Sequence, residues 1–215
     1  MTATAWATLL ITFTLALMVP GTDTFLLLRL GVRERRSAVL AACGITIGNT
    51  VWTVVSLLGL AALVRALPGV LPALQLLGSA VLIWLGVQSI RSGIRARRAA
   101  GKAPVASPGR VTDHPLRLGV ITNLSNPKAL LFFAALFSQI LPPDVGWFDR
   151  AVILVLLTAI CISWFIAFAL LTSSRGFQRW FGRATPVIDI AAGAVFILVA
   201  AAILIELALA ALSAG

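Results

Sequence analysis

Residues 118–141 read LGVITNLSNPKALLFFAALFSQIL, an apolar run of membrane-spanning length with a polar break, Asn123-Leu124-Ser125-Asn126-Pro127-Lys128, at its centre. About 20 apolar residues cross the roughly 30 Å hydrocarbon layer of a bilayer as an α-helix. A proline and a lysine in the middle of such a run are costly there, and ionisable groups at that depth mark functional sites by default. The remaining chain fits the same setting. Of its 215 residues 60% are hydrophobic and only 11% charged, too few charges to cover a water-soluble domain of this size. Mean hydropathy is +1.04, which also excludes intrinsic disorder.

Five more runs of spanning length flank this one, giving six at about 4–28, 38–64, 70–90, 118–141, 151–172 and 186–212. The first has its basic cluster after the apolar stretch rather than before it, so it is read as a retained helix, not a signal peptide. Pro68-Gly69 with Pro72, and Pro142-Pro143, separate neighbouring spans, and 92–116 forms a basic linker carrying Pro104, Pro108 and Gly109. The net charge is +10, yet fourteen of the 17 Lys and Arg residues fall in 29–36, 91–117 and 175–183, between apolar runs. That distribution sets membrane orientation and suits anionic lipid headgroups; no nucleic-acid-binding module accompanies it. It places the 29–36, 91–117 and 173–185 loops in the cytoplasm and both termini outside. Trp6, Trp147 and Trp180 fall near the interfaces, and Trp52, Trp84 and Trp164 read as packing residues.

The expected fold is therefore an all-α integral membrane protein, one transmembrane domain over 1–215. It has six helices in two three-helix repeats, 1–91 and 117–215, joined by the linker 92–116. An odd number of spans per repeat makes the two halves inverted, an arrangement that places substrate at broken helices between the repeats.

Both first helices of the repeats carry such a break. In the first, Val19-Pro20-Gly21-Thr22-Asp23-Thr24 leaves the Ala16 carbonyl without its helical partner and puts a carboxylate beside the disruption. Asp23 either binds a cation or carries a proton, or it caps the broken helix. In the second, Pro127 should free the Asn123 carbonyl, with Asn123, Ser125 and Asn126 around it. Lys128 either snorkels, binds a carboxylate, or partners Asp23. A zwitterionic amino acid would match both charges, its ammonium on Asp23 and its carboxylate on Lys128. Asn49 either lines the pathway or bonds a neighbouring helix. Asp189 reads as a first-turn acid at a positive helix end, or as a partner of Lys128. Gly44 with Gly48, and Gly78 with Gly86, are packing positions, and such faces would allow a homodimer. Cys43 and Cys161 lack the spacing of a redox pair, and the lone His114 lies in the linker. No cofactor or metal set is expected, and no arrangement suits an enzyme.

These residues resemble the LysE/RhtB family of bacterial amino-acid exporters over nearly the whole chain. The resemblance is carried by Pro20-Gly21-Thr22-Asp23, where the family has Pro-Gly-Pro-Asn/Asp, and by Gly44, Gly48 and Asn49. It continues in Leu77-Gly78, Leu82, Leu85-Gly86 and Arg91, and in Asn126-Pro127-Lys128-Ala129-Leu130-Leu131-Phe132-Phe133. It implies a plasma-membrane exporter of amino acids or their analogues driven by protons. Thr22, in place of the second motif proline, softens the break and offers a hydroxyl to the site. One buried acid, with Asp189 a doubtful second, leans toward neutral rather than basic substrates. The competing classes are an exporter of divalent cations or other small metabolites, a passive channel, and an accessory membrane subunit.

Overall fold

The computed structural model describes residues 1–67, 70–98, 113–140 and 145–213, and every described element is helical. The order is α1 (Ala3–Met18), α2 (Thr22–Gly31), α3 (Arg35–Ala66), α4 (Val70–Arg98), α5 (Pro115–Leu124), α6 (Pro127–Ile140), α7 (Trp147–Leu171) and α8 (Arg175–Ser213). Helices satisfy their own backbone groups, which hydrocarbon demands of any segment that crosses it. Four helices are individually long and apolar enough to cross a membrane. The pairs α1–α2 and α5–α6, bent at their breaks by 49° and 56°, pass the same test of length and composition only when each pair is taken together, which gives up to six candidate spans among the described residues. The chain thus repeats one order of elements: a bent pair, then two long helices.

The core runs down the bundle axis, through Leu9 and Phe13 of α1, Ala41 and Ile45 of α3, Leu136 of α6 and Phe196 of α8. Large apolar side chains such as Val155, Leu198 and Ile205 face outward, as a lipid-facing surface requires. Helix α4 packs chiefly on α8, and α3 on α5 and α7. Small residues set these approaches. A Cβ on Gly86 would lie 2.7 Å from the Gly193 carbonyl, and one on Gly193 would lie 2.5 Å from the Gly86 carbonyl. Gly44 and Gly119 play the same reciprocal part between α3 and α5, against the carbonyls of Leu116 and Ala41. Gly78 and Gly86 serve different neighbours: Gly78 lies against Ser138 and Gln139 of α6.

Several boundaries differ from the sequence expectation. Residues 175–185 are not a loop but the start of α8, which at 39 residues is about 58 Å long at 1.5 Å per residue. Pro186 lies inside that helix without ending it. Pro72 sits in the first turn of α4, and α4 continues through Arg98, so the linker begins later than residue 92. Pro115 and Leu116 belong to α5. Pro68-Gly69, Pro142-Pro143 and the linker residues 99–112 lie outside the described residues. Trp84 is half exposed on the outer face rather than packed inside, whereas Trp52 and Trp164 do pack against the core. Arg150, just before the run drawn at 151–172, lies in α7 and is buried; its Nε donates to the Val145 carbonyl at 3.1 Å.

Candidate functional site

The two helix breaks meet. At the first, α1 stops at Met18, the Val19 amide donates to the Leu15 carbonyl at 3.1 Å, and Pro20 has no amide to continue the ladder. Gly21, in extended backbone, precedes α2, so Asp23 stands in the first turn at the positive end of that helix. At the second, α5 stops at Leu124 and Pro127 opens α6. Asn126 caps α6, its Oδ1 accepting from the Lys128 amide at 3.0 Å.

Each break is then tied to the other. Asn123 Nδ2 donates to Asp23 Oδ2 at 2.9 Å, and Lys128 Nζ donates to the Val19 carbonyl at 3.3 Å. Lys128 therefore does not snorkel: its stem crosses to the opposite broken span. Among the described residues no Lys or Arg nitrogen comes within 4.0 Å of a carboxylate, so Lys128 is not closed into an ion pair with Asp23 or Asp189. It remains within electrostatic reach of both. Two donors of its ammonium are available for another acceptor. Asp23 Oδ1 is likewise buried and, among the described residues, accepts no hydrogen bond, with the Asn126 side chain beside the same carboxylate.

Asp23, Lys128, Gly21, Asn49 and Asn126 line one partly open pocket, whose empty space together with its open mouth is about 470 Å³. Its polar groups gather at the breaks, while Phe13, Leu17, Phe132, Phe133 and Phe165 supply an apolar wall. Asn49 is buried, and its Nδ2 donates to the Ile45 carbonyl of its own helix at 3.1 Å, so it lines the pocket rather than bonding a neighbouring helix.

The structure places the other expected residues differently. Asn123 lies behind the pocket, holding Asp23. Its carbonyl is not freed by Pro127, because the Asn126 amide takes it at 3.0 Å. Pro20 and Pro127 make the breaks without lining the pocket. Thr22 is exposed and its hydroxyl does not enter the site. Gly21 does not admit a neighbour, since a Cβ there would meet nothing within 4 Å. Asp189 is no first-turn acid: it sits fourteen residues inside α8, 2% exposed, with Oδ1 unpartnered and Ser92 beside its carboxylate. It lies within electrostatic reach of Lys128 but does not line the pocket.

Gly48 acquires a specific role here. A Cβ on it would lie 2.5 Å from Asn123 Oδ1 and 2.9 Å from Asn123 Cβ, displacing the side chain that holds Asp23. We expect Gly48→Ala to lower transport and to destabilise the detergent-solubilised protein by about 1–3 kcal/mol, the usual cost of overpacking. Thermal denaturation beside flux checks both; an unshifted melting curve with normal flux would remove the role. The phenyl wall was not identified as such in the sequence. The available signal was the i, i+4 relation of Lys128 to Phe132, which shares one face of α6.

Two discontinuous spans crossing inside a helical membrane bundle, with opposite charges on a shared pocket, define a membrane transport protein. Comparison with known proteins gives the family. The chain belongs to the LysE type translocators, whose family model matches residues 14–207. It is a multi-pass protein of the bacterial inner membrane and a transporter, not an enzyme. It is 35% identical to a threonine efflux protein of Salmonella typhi over 185 residues, covering 84% of this chain and 88% of that one. The Escherichia coli K12 threonine efflux protein is 32% identical over 182 residues, again covering 84% and 88%. A leucine efflux protein of Klebsiella pneumoniae is 28% identical over 156 residues, covering 70% and 72%. No solved structure matches the chain.

Proposed function

We propose that this amino-acid exporter binds a zwitterionic, neutral amino acid between the two helix breaks and exchanges it for a proton. The observation that carries the reading is the pair of underused charges on one pocket: among the described residues, Asp23 Oδ1 accepts no hydrogen bond and Lys128 donates to a single carbonyl. The substrate ammonium takes Asp23 and the α1 carbonyls around Ala16. The substrate carboxylate takes Lys128, at the N-terminal, positive end of α6. Relatives named for threonine and leucine efflux support a neutral substrate.

Coupling follows from competition. A proton on Asp23 removes its charge and weakens the ammonium contact, so substrate and proton compete for it, and their alternation exchanges one for the other. With the Arg-rich ends in the cytoplasm and both termini outside, the repeats are inverted, and rocking one against the other exposes the site to each side. The basic helix ends, including the first turns of α8, meet anionic headgroups.

The test is transport in proteoliposomes under an imposed proton gradient, with labelled neutral and basic amino acids and an internal pH dye. Movement of neutral substrates against an opposite proton flux is the expected result. Saturable flux indifferent to the gradient would remove antiport. A preference for lysine or arginine would remove the neutral assignment.

A further inference from the structure

Zwitterion binding at Asp23 and Lys128 fixes only the head of an amino acid, and the inference below rests on that reading. The geometry points to Phe13 and Phe133 as the residues that set which side chains the transporter accepts, limiting it to uncharged side chains of restricted bulk. Lys128 and Phe132 are one turn apart on α6, and a turn rises about 5.4 Å. A head held at the breaks therefore directs its side chain along the pocket toward the rings. There the lining is Phe13 and Leu17 from α1, Phe132 and Phe133 from α6, and Phe165 from α7. This part of the lining has no charged side chain to receive an ammonium or guanidinium, and burying one there without a partner is prohibitive.

The far wall is stiff. Phe13 and Phe133 meet edge to face, ring centroids 6.0 Å apart, and each is 1% exposed. Phe133 is held from behind by Phe137, stacked at 6.1 Å, and from the side by Phe132 at 5.9 Å; Phe132 in turn rests on Phe196 of α8 at 5.8 Å. A ring braced on three sides cannot yield to a longer side chain. Phe13 is the component supplied by the other broken span, and its truncation opens the pocket without touching either charged group.

The test is counterflow exchange by the full chain in proteoliposomes, comparing threonine, leucine and phenylalanine as competitors for F13A, F13L and the parent protein. An amino-acid amide and an N-acetyl amino acid probe the head. In F13A the preference for phenylalanine over threonine should rise about tenfold or more, the scale on which apolar pockets discriminate size. In F13L the shift should be smaller and in the same direction, which keeps the test usable if F13A fails to fold. The amide and the N-acetyl compound should remain excluded throughout. An unchanged side-chain ratio in a folded variant, or an equal loss for all three amino acids, would overturn the assignment of Phe13. If the parent protein instead accepts the amide and the N-acetyl compound, the zwitterion reading itself is lost, whatever the side-chain ratios.

Discussion

Asp23→Asn is expected to abolish proton-driven net efflux while leaving slower exchange of substrate between the two sides of the membrane. The amide retains an oxygen that can accept from a substrate ammonium, and it is isosteric, so the Asn123 contact has somewhere to go. It cannot take up and release a proton, and it removes the charge in the ammonium contact. Hydrogen bonds involving a charged group contribute about 1.5–3 kcal/mol, so half-saturation in exchange should rise roughly 10–100-fold. Gradient-driven flux should fall to background, because nothing is left to alternate with the substrate. Asp23→Glu should keep part of the coupling. The measurement is paired flux in the same vesicles, counterflow against gradient-driven movement, after confirming insertion and abundance. Unimpaired gradient-driven efflux in Asp23→Asn would show that the coupling proton lies elsewhere. Asp189, buried with an oxygen unpartnered, would then be the next carboxylate to replace.

Lys128→Met should have the second large effect, and of a different kind. The thioether fills the volume of the lysine stem but offers no donor to a carboxylate. It also leaves the Val19 carbonyl without its partner across the two breaks. Apparent affinity should fall roughly 10–100-fold by the same charge-assisted scale, in exchange and in gradient-driven transport alike, since ground-state binding is common to both. Lys128→Arg should restore part of it, because the charge returns in a fork larger than the pocket was shaped around. The distinction from Asp23 is the pattern: loss of coupling with exchange retained in one, parallel loss of affinity in the other. Equal affinity for the substrate in Lys128→Met would place the carboxylate elsewhere, and the α6 N-terminus would be the remaining donor.

The membrane spans were legible because hydropathy reports directly on what hydrocarbon tolerates, and all six apolar runs correspond to helical segments. Their ends were less legible. Residues 175–185 carry three arginines between apolar runs and read as a loop. The segment nevertheless remains helical by burying Phe181 and packing Phe177 and Trp180 against each other, contacts that no apolar run announces. Asp189 was misplaced for the same reason, since a helix start drawn at 186 turned a mid-helix carboxylate into a first-turn one. The apolar run drawn there opens on Pro186. Within a long helix it costs a hydrogen bond, and the close packing of α8 against Gly93 keeps the helix continuous.

At the site, the residue types were legible and their partners were not. Proline beside Asp23 and proline beside Lys128 mark two breaks in any reading of the chain, because the missing amide and the buried charge are properties of the residues themselves. Composition likewise determined that the chain is helical and membrane-spanning, and the distribution of basic residues supplied the expected orientation. Only the tertiary structure decided that Asn123 holds Asp23 rather than facing the pocket, that Lys128 reaches the Val19 carbonyl rather than a carboxylate, and that four phenyl rings wall the site. The pairs concerned, Asn123 with Asp23 and Lys128 with Val19, are 100 and 109 residues apart. Local preference sets where a helix must break, whereas which break faces which, and at what distance, follows from how the helices pack.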